Sequence, residues 1–331
     1  MNLPLPLKTP FPWFGGKLKV APVVWAALGD VKNYVEPFFG SGAVFLNRPH
    51  PHNIATINDK DGYVANFWRA IAADPDCVAR QAAWPVFEND LHARHYWLIE
   101  RKDALVERLE ADPDFYDPLV AAYWVWGICC WIGGGWCEGK GPWRVVDGCL
   151  TKGDAGQGVH RKRPHLGHAG KGVHRQLPHL GHAGKGVHRN QGSLVCWFQE
   201  LAARLAVARV CCGDWTRVLG KSVTYGGPIK HSPTGVFLDP PYSHAMREKA
   251  LYTVETDCSG AVRAWAIANG DNPLLRIVLA GYAGEHDELE GRGWRVVPWK
   301  AHGGYGSQGA NRGRENAKLE RLFLSPHCLP V

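Results

Sequence analysis

The 331-residue sequence predicts an α/β protein: a Rossmann-like, mostly parallel sheet interrupted by an inserted, mostly helical lobe. Three observations predict it. A short apolar segment runs into a glycine turn and an apolar helix over residues 34–43. A second segment ends in an acid about twenty residues later, a spacing familiar from ligand-binding α/β folds. A third, Val236-Phe237-Leu238, runs without alternation into Asp239-Pro240-Pro241-Tyr242. Unbroken apolar runs bounded by turn residues read as strands buried on both faces.

The elements follow in order. Tyr34-Val35-Glu36-Pro37-Phe38-Phe39-Gly40-Ser41-Gly42 reads as strand and glycine turn, with a helix starting near Ala43. Gly40 and Gly42 permit tight backbone geometry and close approach of a ligand, and the N–H groups of a helix start suit a polar or anionic edge. Ala55-Thr56-Ile57-Asn58-Asp59 reads as the second strand, ending in a carboxylate placed to hold ribose hydroxyls. Leu119 to Ile132 reads as a buried helix, followed by a glycine-rich loop to Trp143. The tryptophans here, Trp124, Trp126, Trp131, Trp136 and Trp143, are spaced as core packing usually is; Trp136 or Trp143 stacking on or wedging between bases is the sharper alternative. Val207 to Trp215 reads as a strand with a terminal Gly213-Asp214. Arg276 to Tyr282, Trp294 to Trp299 and Leu319 to Leu324 read as the last three strands, the final two antiparallel. Their connection, Gly303 to Lys318, is long and glycine-rich and holds Arg312 and Arg314; contact with a nucleic-acid strand is expected of it, with a plain mobile loop as the alternative. The stretch from Ser243 to Asp257 is expected to close over a substrate. Three regions result: residues 1–75 and 205–331 as the two parts of the sheet domain, and 76–204 as the inserted lobe.

Composition excludes several classes. At 45% hydrophobic the chain can bury an α/β core and a smaller lobe. No stretch reaches the roughly eighteen apolar residues of a membrane span. Met1 to Pro12 lacks the charge, apolar core and cleavage site of a secretory signal. Ten cysteines include the adjacent pairs Cys129-Cys130 and Cys211-Cys212 but no C-x-x-C, so reduced thiols in a cytoplasmic protein are expected.

The formal charge is +7, and residues 151–192 carry all of it: eight Lys or Arg against Asp154 alone. That segment is a duplication. Gly158–Lys171 and Gly172–Lys185 differ at two of fourteen positions, and a third copy starts at Gly186. Each unit has too few apolar residues to build a core. It reads as glycine-turned loops presenting Arg161, Lys171, Arg175, Lys185 and Arg189 to phosphates or a groove, with a solvated insertion as the plain alternative. The Pro-His-Leu-Gly-His units lack Cys or acid partners, so no metal site is assigned.

Asp239-Pro240-Pro241-Tyr242 carries the chemistry, and should arise by chance in roughly one chain in a thousand of this length. An exocyclic amine on a nucleobase is a poor nucleophile, because its lone pair is delocalised into the ring. A site that alkylates it must hold both N–H bonds and turn the lone pair out of plane. The Asp239 carboxylate can accept one and the Pro240 carbonyl the other, while Pro241 stiffens the corner without adding an N–H. Tyr242 offers a flat face for an extruded base.

Pro12-Trp13-Phe14-Gly15-Gly16-Lys17, then Glu36 to Gly42, Asn58-Asp59 and Asp239 to Tyr242 resemble the ordered motifs of the Dam-type DNA adenine methyltransferases, more in their phage and prophage form. The resemblance covers residues 10–70 and 205–325. It implies an S-adenosylmethionine cofactor contacted by Trp13, Lys17, Glu36, Phe38, Gly40, Ser41, Gly42, Asp59, Asp214 and Asp239. It also implies catalysis by Asp239, Pro240, Pro241 and Tyr242 on an adenine flipped out of double-stranded DNA, with the basic middle segment as recognition region. A monomer or weak dimer is expected. Cytosine-N4 methylation needs the same clamp and is the nearest alternative; a catalytically inactive DNA-binding protein on this fold is the other.

Overall fold

The computed structural model describes residues 6–13, 15–51, 53–131, 136–137, 143–146, 149–152, 191–226, 232–242, 258–299 and 319–331. In chain order come α1 (Ala21–Leu28), β1 (Asn33–Glu36), α2 (Ala43–Leu46), β2 (Ile54–Asp59), α3 (Gly62–Ala73) and α4 (Pro75–Ala82). Next are α5 (Glu88–Ala111), α6 (Pro118–Cys130), β3 (Trp143–Val146), β4 (Cys149–Lys152), α7 (Gln191–Leu205) and β5 (Ala208–Cys212). Last come α8 (Lys221–Thr224), β6 (Thr234–Leu238), α9 (Ser259–Asn269), β7 (Leu275–Tyr282), β8 (Arg295–Pro298) and β9 (Glu320–Leu324).

The chain divides into two compact units. The first comprises residues 1–8, 13–60 and 207–331, and holds a seven-stranded sheet in the order β5-β2-β1-β6-β7-β9-β8. The five strands from β5 to β7 pair in parallel, and β9 runs antiparallel between β7 and β8. The predicted final antiparallel pair is therefore present. Every residue of β1 and β6 is buried, which explains why Val236 to Leu238 reads as an unbroken apolar run. Val35, Val236, Leu238, Ile277, Leu279 and Phe323 belong to one core cluster.

The strand order places the ligand crevice. From β1 the chain moves outward to β2 and β5, then returns to the other side of β1 as β6 and moves away through β7. The reversal falls between β1 and β6, whose registers pair Val35 with Val236. In open sheets, ligands settle outside the carboxyl ends of the strands at such a switch point. Here those ends are Glu36 and Leu238, and the next residue after Leu238 is Asp239.

The second unit, residues 9–12 and 61–206, is mostly helical. Side-chain caps start its helices. Asp61 accepts from Tyr63 N–H, Asp74 from Cys77 N–H, and Asp117 from both Leu119 and Val120 N–H. Pro75 and Pro118 occupy first-turn positions, where the missing N–H costs nothing. The division lies at Lys60/Asp61, before α3, whereas the order of motifs and elements in the sequence placed it at 75/76. The reason is packing: Phe67 of α3 lies 5.3 Å edge-on from Phe11 and 6.0 Å from Phe198 of α7, and Tyr63 lies 6.5 Å from Trp124.

Trp136 is core. Its ring lies 5.1 Å from His95 and 5.2 Å from Trp131, and its Nε1 donates to the Trp124 carbonyl at 3.1 Å. It also explains Gly127, in the interior of α6, where a Cβ would come within 1.7 Å of Trp136 Cζ2. Gly127→Ala should therefore destabilise the protein by about 1–3 kcal/mol in urea unfolding, because overpacking outweighs the helix propensity gained. The side chain of Trp143, the basic repeats, residues 243–257 and Arg312 and Arg314 lie outside the described residues. No helix among the described residues is long and apolar enough to cross a membrane. The described cysteines are free thiols.

Candidate active site

At the carboxyl edge of the sheet the backbone is stitched by Asn58, whose Nδ2 donates to the carbonyls of Pro37 and Gly213, both at 3.0 Å. Phe39 N–H donates to the Asn58 carbonyl at 3.0 Å and Gly213 N–H to the Asp59 carbonyl at 3.1 Å. The ends of β1, β2 and β5 are thereby locked side by side. The glycine turn then crosses Asp59: Gly40 N–H donates to Asp59 Oδ2 at 2.8 Å. Gly40 has φ +49° and Gly42 φ +69°, both left-handed, so the glycines are required by geometry. The Trp13 indole lies over Gly40, with Nε1 2.4 Å from where a Cβ would stand. Bare backbone under a tryptophan, beside an acid, makes a cradle.

Asp239 follows β6 directly and faces Lys17. Lys17 Nζ lies 2.9 Å from Asp239 Oδ1, with the two side chains 4% and 21% exposed. The ammonium also donates to the Gly15 carbonyl at 2.8 Å and lies 5.3 Å from the Tyr242 ring and 5.8 Å from the Trp299 ring. The Tyr242 hydroxyl donates to Glu320 Oε2 at 2.7 Å, and its ring packs edge-on against Tyr282 at 4.4 Å. Tyr242 is only 7% exposed. Pro240 is buried and Pro241 half-buried, so the corner is rigid in sequence and in packing.

Burial dominates the electrostatics. It works to lower the Lys17 pKa, but Asp239 and then Glu320 outweigh it, and the ammonium is held above its ordinary value. Burial pushes the Asp239 carboxyl up, with Lys17 opposing. It pushes Glu36 well above the usual carboxylate range; the Tyr34 hydroxyl, donating at 2.8 Å, opposes this, while Asp239 and Asp59 add to it. Glu320 is raised by burial and restrained by Lys17 and Tyr242. Among the described residues at this edge, Glu36, Asp59, Asp239 and Glu320 thus stand against Lys17. Such an acid surplus suits a ligand that brings positive charge. Trp299 Nε1 and Asn58 Oδ1 are buried without a hydrogen-bond partner.

Of the expected residues, Lys17, Glu36, Gly40, Asp59, Asp239 and Tyr242 gather at the edge formed by the ends of β1, β2 and β6. Trp13 covers the glycine turn, Ser41 is buried within it, and Phe38 stacks at 6.3 Å on Trp215. Asp214 stands at the end of β5, after Gly213. Its Oδ1 accepts from Thr216 N–H at 3.1 Å and from the Thr216 hydroxyl at 2.6 Å, capping a short 3₁₀ turn, and Thr216 holds its carboxyl below the ordinary value. The predicted DNA contacts, Arg161, Lys171, Arg175, Lys185, Arg189, Arg312 and Arg314, lie outside the described residues. Glu320, Tyr282 and Trp299 were not singled out from sequence. A charged pair, Glu320-Arg321, heading a strand that is apolar from Leu322 on was the available signal for Glu320.

A doubly wound sheet, a glycine cradle backed by an acid and a rigid Asp-Pro-Pro-Tyr corner at the switch point are consistent with a methyltransferase fold. Residues 13–130 match the family model of the D12 class N6 adenine-specific DNA methyltransferases. The chain is 36% identical over 61 residues to the "DNA N-6-adenine-methyltransferase" of Escherichia phage P1, covering 18% of this chain and 8% of that relative. Both likenesses support the resemblance to the phage-type DNA adenine methyltransferases that the motifs carry, and the aligned stretch spans only a small part of the phage P1 protein's length. The family match runs to Cys130, further into the middle than the motif resemblance reached, and Asp239 lies beyond it.

Proposed function

We propose that the chain transfers a methyl group from S-adenosylmethionine to the exocyclic N6 amine of an adenine turned out of double-stranded DNA. The observation that carries this reading is the Lys17–Asp239 pair at 2.9 Å, set beside Glu36 at the one point where the strand order reverses. S-adenosylmethionine, when bound, supplies an electrophilic methyl on a sulfonium, a cation that the acidic edge favours. Trp13, Glu36, Phe38, Gly40, Ser41 and Gly42 would hold it, Asp59 its ribose, and Asp214 its adenine edge.

Asp239 accepts one N–H of the target amine and the Pro240 carbonyl accepts the other. Holding both turns the nitrogen lone pair out of the ring plane and towards the methyl. The N–C bond forms as the C–S bond breaks, and the amine then sheds one proton, for which Asp239 is the nearest base. Positioning and hydrogen bonding supply the rate. Tyr242 stacks on the extruded base; since its ring is covered here, stacking goes with an opening of its surroundings. The basic repeats take the duplex phosphates. The family match favours adenine over cytosine as the target.

Incubating the purified chain with plasmid DNA and methyl-tritiated S-adenosylmethionine tests the reading. Label should accumulate in acid-precipitable DNA; incorporation no greater than with heat-inactivated protein refutes it. Gly40→Ala probes the cradle. The new methyl group meets Trp13 and forces a left-handed residue, so S-adenosylmethionine affinity in calorimetry should fall about tenfold or more, at least ~1.4 kcal/mol.

A further inference from the structure

We propose that Glu320, at the head of β9, is a positioning residue for this reaction: it orients the Tyr242 ring beside the Lys17–Asp239 pair. The inference rests on the functional reading above.

Placement comes first. β9 pairs Glu320 with Tyr282, the last residue of β7, so the carboxylate stands at the same edge as Asp239 although it arrives on an antiparallel strand. It is 5% exposed. Its Oε2 takes the Tyr242 hydroxyl at 2.7 Å, and its main-chain carbonyl accepts Trp299 N–H at 3.2 Å. Lys17 lies within reach of both the Tyr242 and Trp299 rings. The Glu320 carboxylate therefore holds Tyr242, and its main chain holds Trp299, the two aromatic groups that flank the Lys17 ammonium.

Stability alone does not call for an acid here. A buried carboxylate carries a desolvation cost that an apolar residue of similar volume avoids, and such a residue would hold β9 as well. What the acid supplies is a fixed tyrosine and a second negative charge on Lys17. Removing either partner should show in the chemistry more than in the fold.

The groups facing Glu320 are Lys17, Asp239, Tyr242, Tyr282 and Glu285, and those facing Lys17 are Asp239 and Glu320. Glu320 raises the Lys17 pKa, so removing its charge must lower it. Loss of activity at alkaline pH then begins at lower pH.

Glu320→Gln keeps an acceptor for Tyr242 but removes the charge. It should lower kcat about tenfold, move the alkaline limb of the rate profile downward, and leave S-adenosylmethionine affinity within about twofold. Tyr242→Phe removes the hydrogen bond but keeps the charge. It should lower kcat with the alkaline limb unmoved, and it carries the test should Glu320→Gln not fold. Wild-type kcat in Tyr242→Phe, or wild-type kcat with an unmoved limb in Glu320→Gln, overturns the inference while leaving the functional reading intact. A wild-type protein that transfers no methyl group overturns both.

Discussion

Asp239→Ala is expected to abolish methyl transfer while leaving S-adenosylmethionine binding within a few-fold of wild type. The carboxylate is proposed to do two things at once: hold one N–H of the amine so that its lone pair points at the donor, and take up the shed proton. Alanine does neither. Losing one preorganised polar contact to a reacting group typically costs 10²–10³-fold, and here a contact and a base are lost together, so roughly 10³-fold or more is expected. The cradle formed by Trp13, Gly40 and Asp59 does not depend on this side chain. Calorimetry measures the binding and tritium incorporation the transfer. A variant that methylates DNA at near wild-type rate would show that the chemistry is elsewhere.

Lys17→Met carries the second largest expected effect, about 10²-fold in kcat/KM, with a pH signature that separates it from simple damage. Methionine keeps much of the buried stem and loses the charge. Lys17 opposes the burial that raises the Asp239 pKa, so its removal must raise that pKa further. Asp239 accepts an N–H most strongly, and can take up the shed proton, only when ionised. The acid limb of the rate profile therefore moves to higher pH, and the variant regains activity as pH rises through a range where the wild type is flat. An unmoved acid limb would mean that the ion pair at 2.9 Å does not set the Asp239 charge.

Much of the sheet was legible because its strands are buried on both faces. Val236 to Leu238 and Ile277 to Tyr282 read as apolar runs for that reason. The order of strands was not legible, since β9 reaches its place between β7 and β8 through pairings distant in sequence. No composition shift marks Lys60/Asp61, where the contacts divide the two units; Phe67 and Tyr63 show their side only through what they pack on. Gly127, inside the run read as a buried helix, makes room for Trp136, which sequence alone does not show.

The candidate site divides along the same line. Gly40, Asp59 and Asp239 stood out because the residue type, its position after an apolar run and the local turn all lie within a few neighbours. Glu320 did not, because its meaning depends on Tyr242, 78 residues away. Asp214 stood out on local grounds as well. A Gly-Asp at a strand end has the local form of a ligand contact, and the side chain caps its own turn through Thr216.

Mass spectrometry of nucleosides from DNA of a strain expressing the wild-type chain, beside one expressing Asp239→Ala, tests the central claim most directly. N6-methyladenine should appear with the wild type and be absent with the variant. Methylation on N4 of cytosine, equal N6-methyladenine in both strains, or no modified base with the wild type would contradict it.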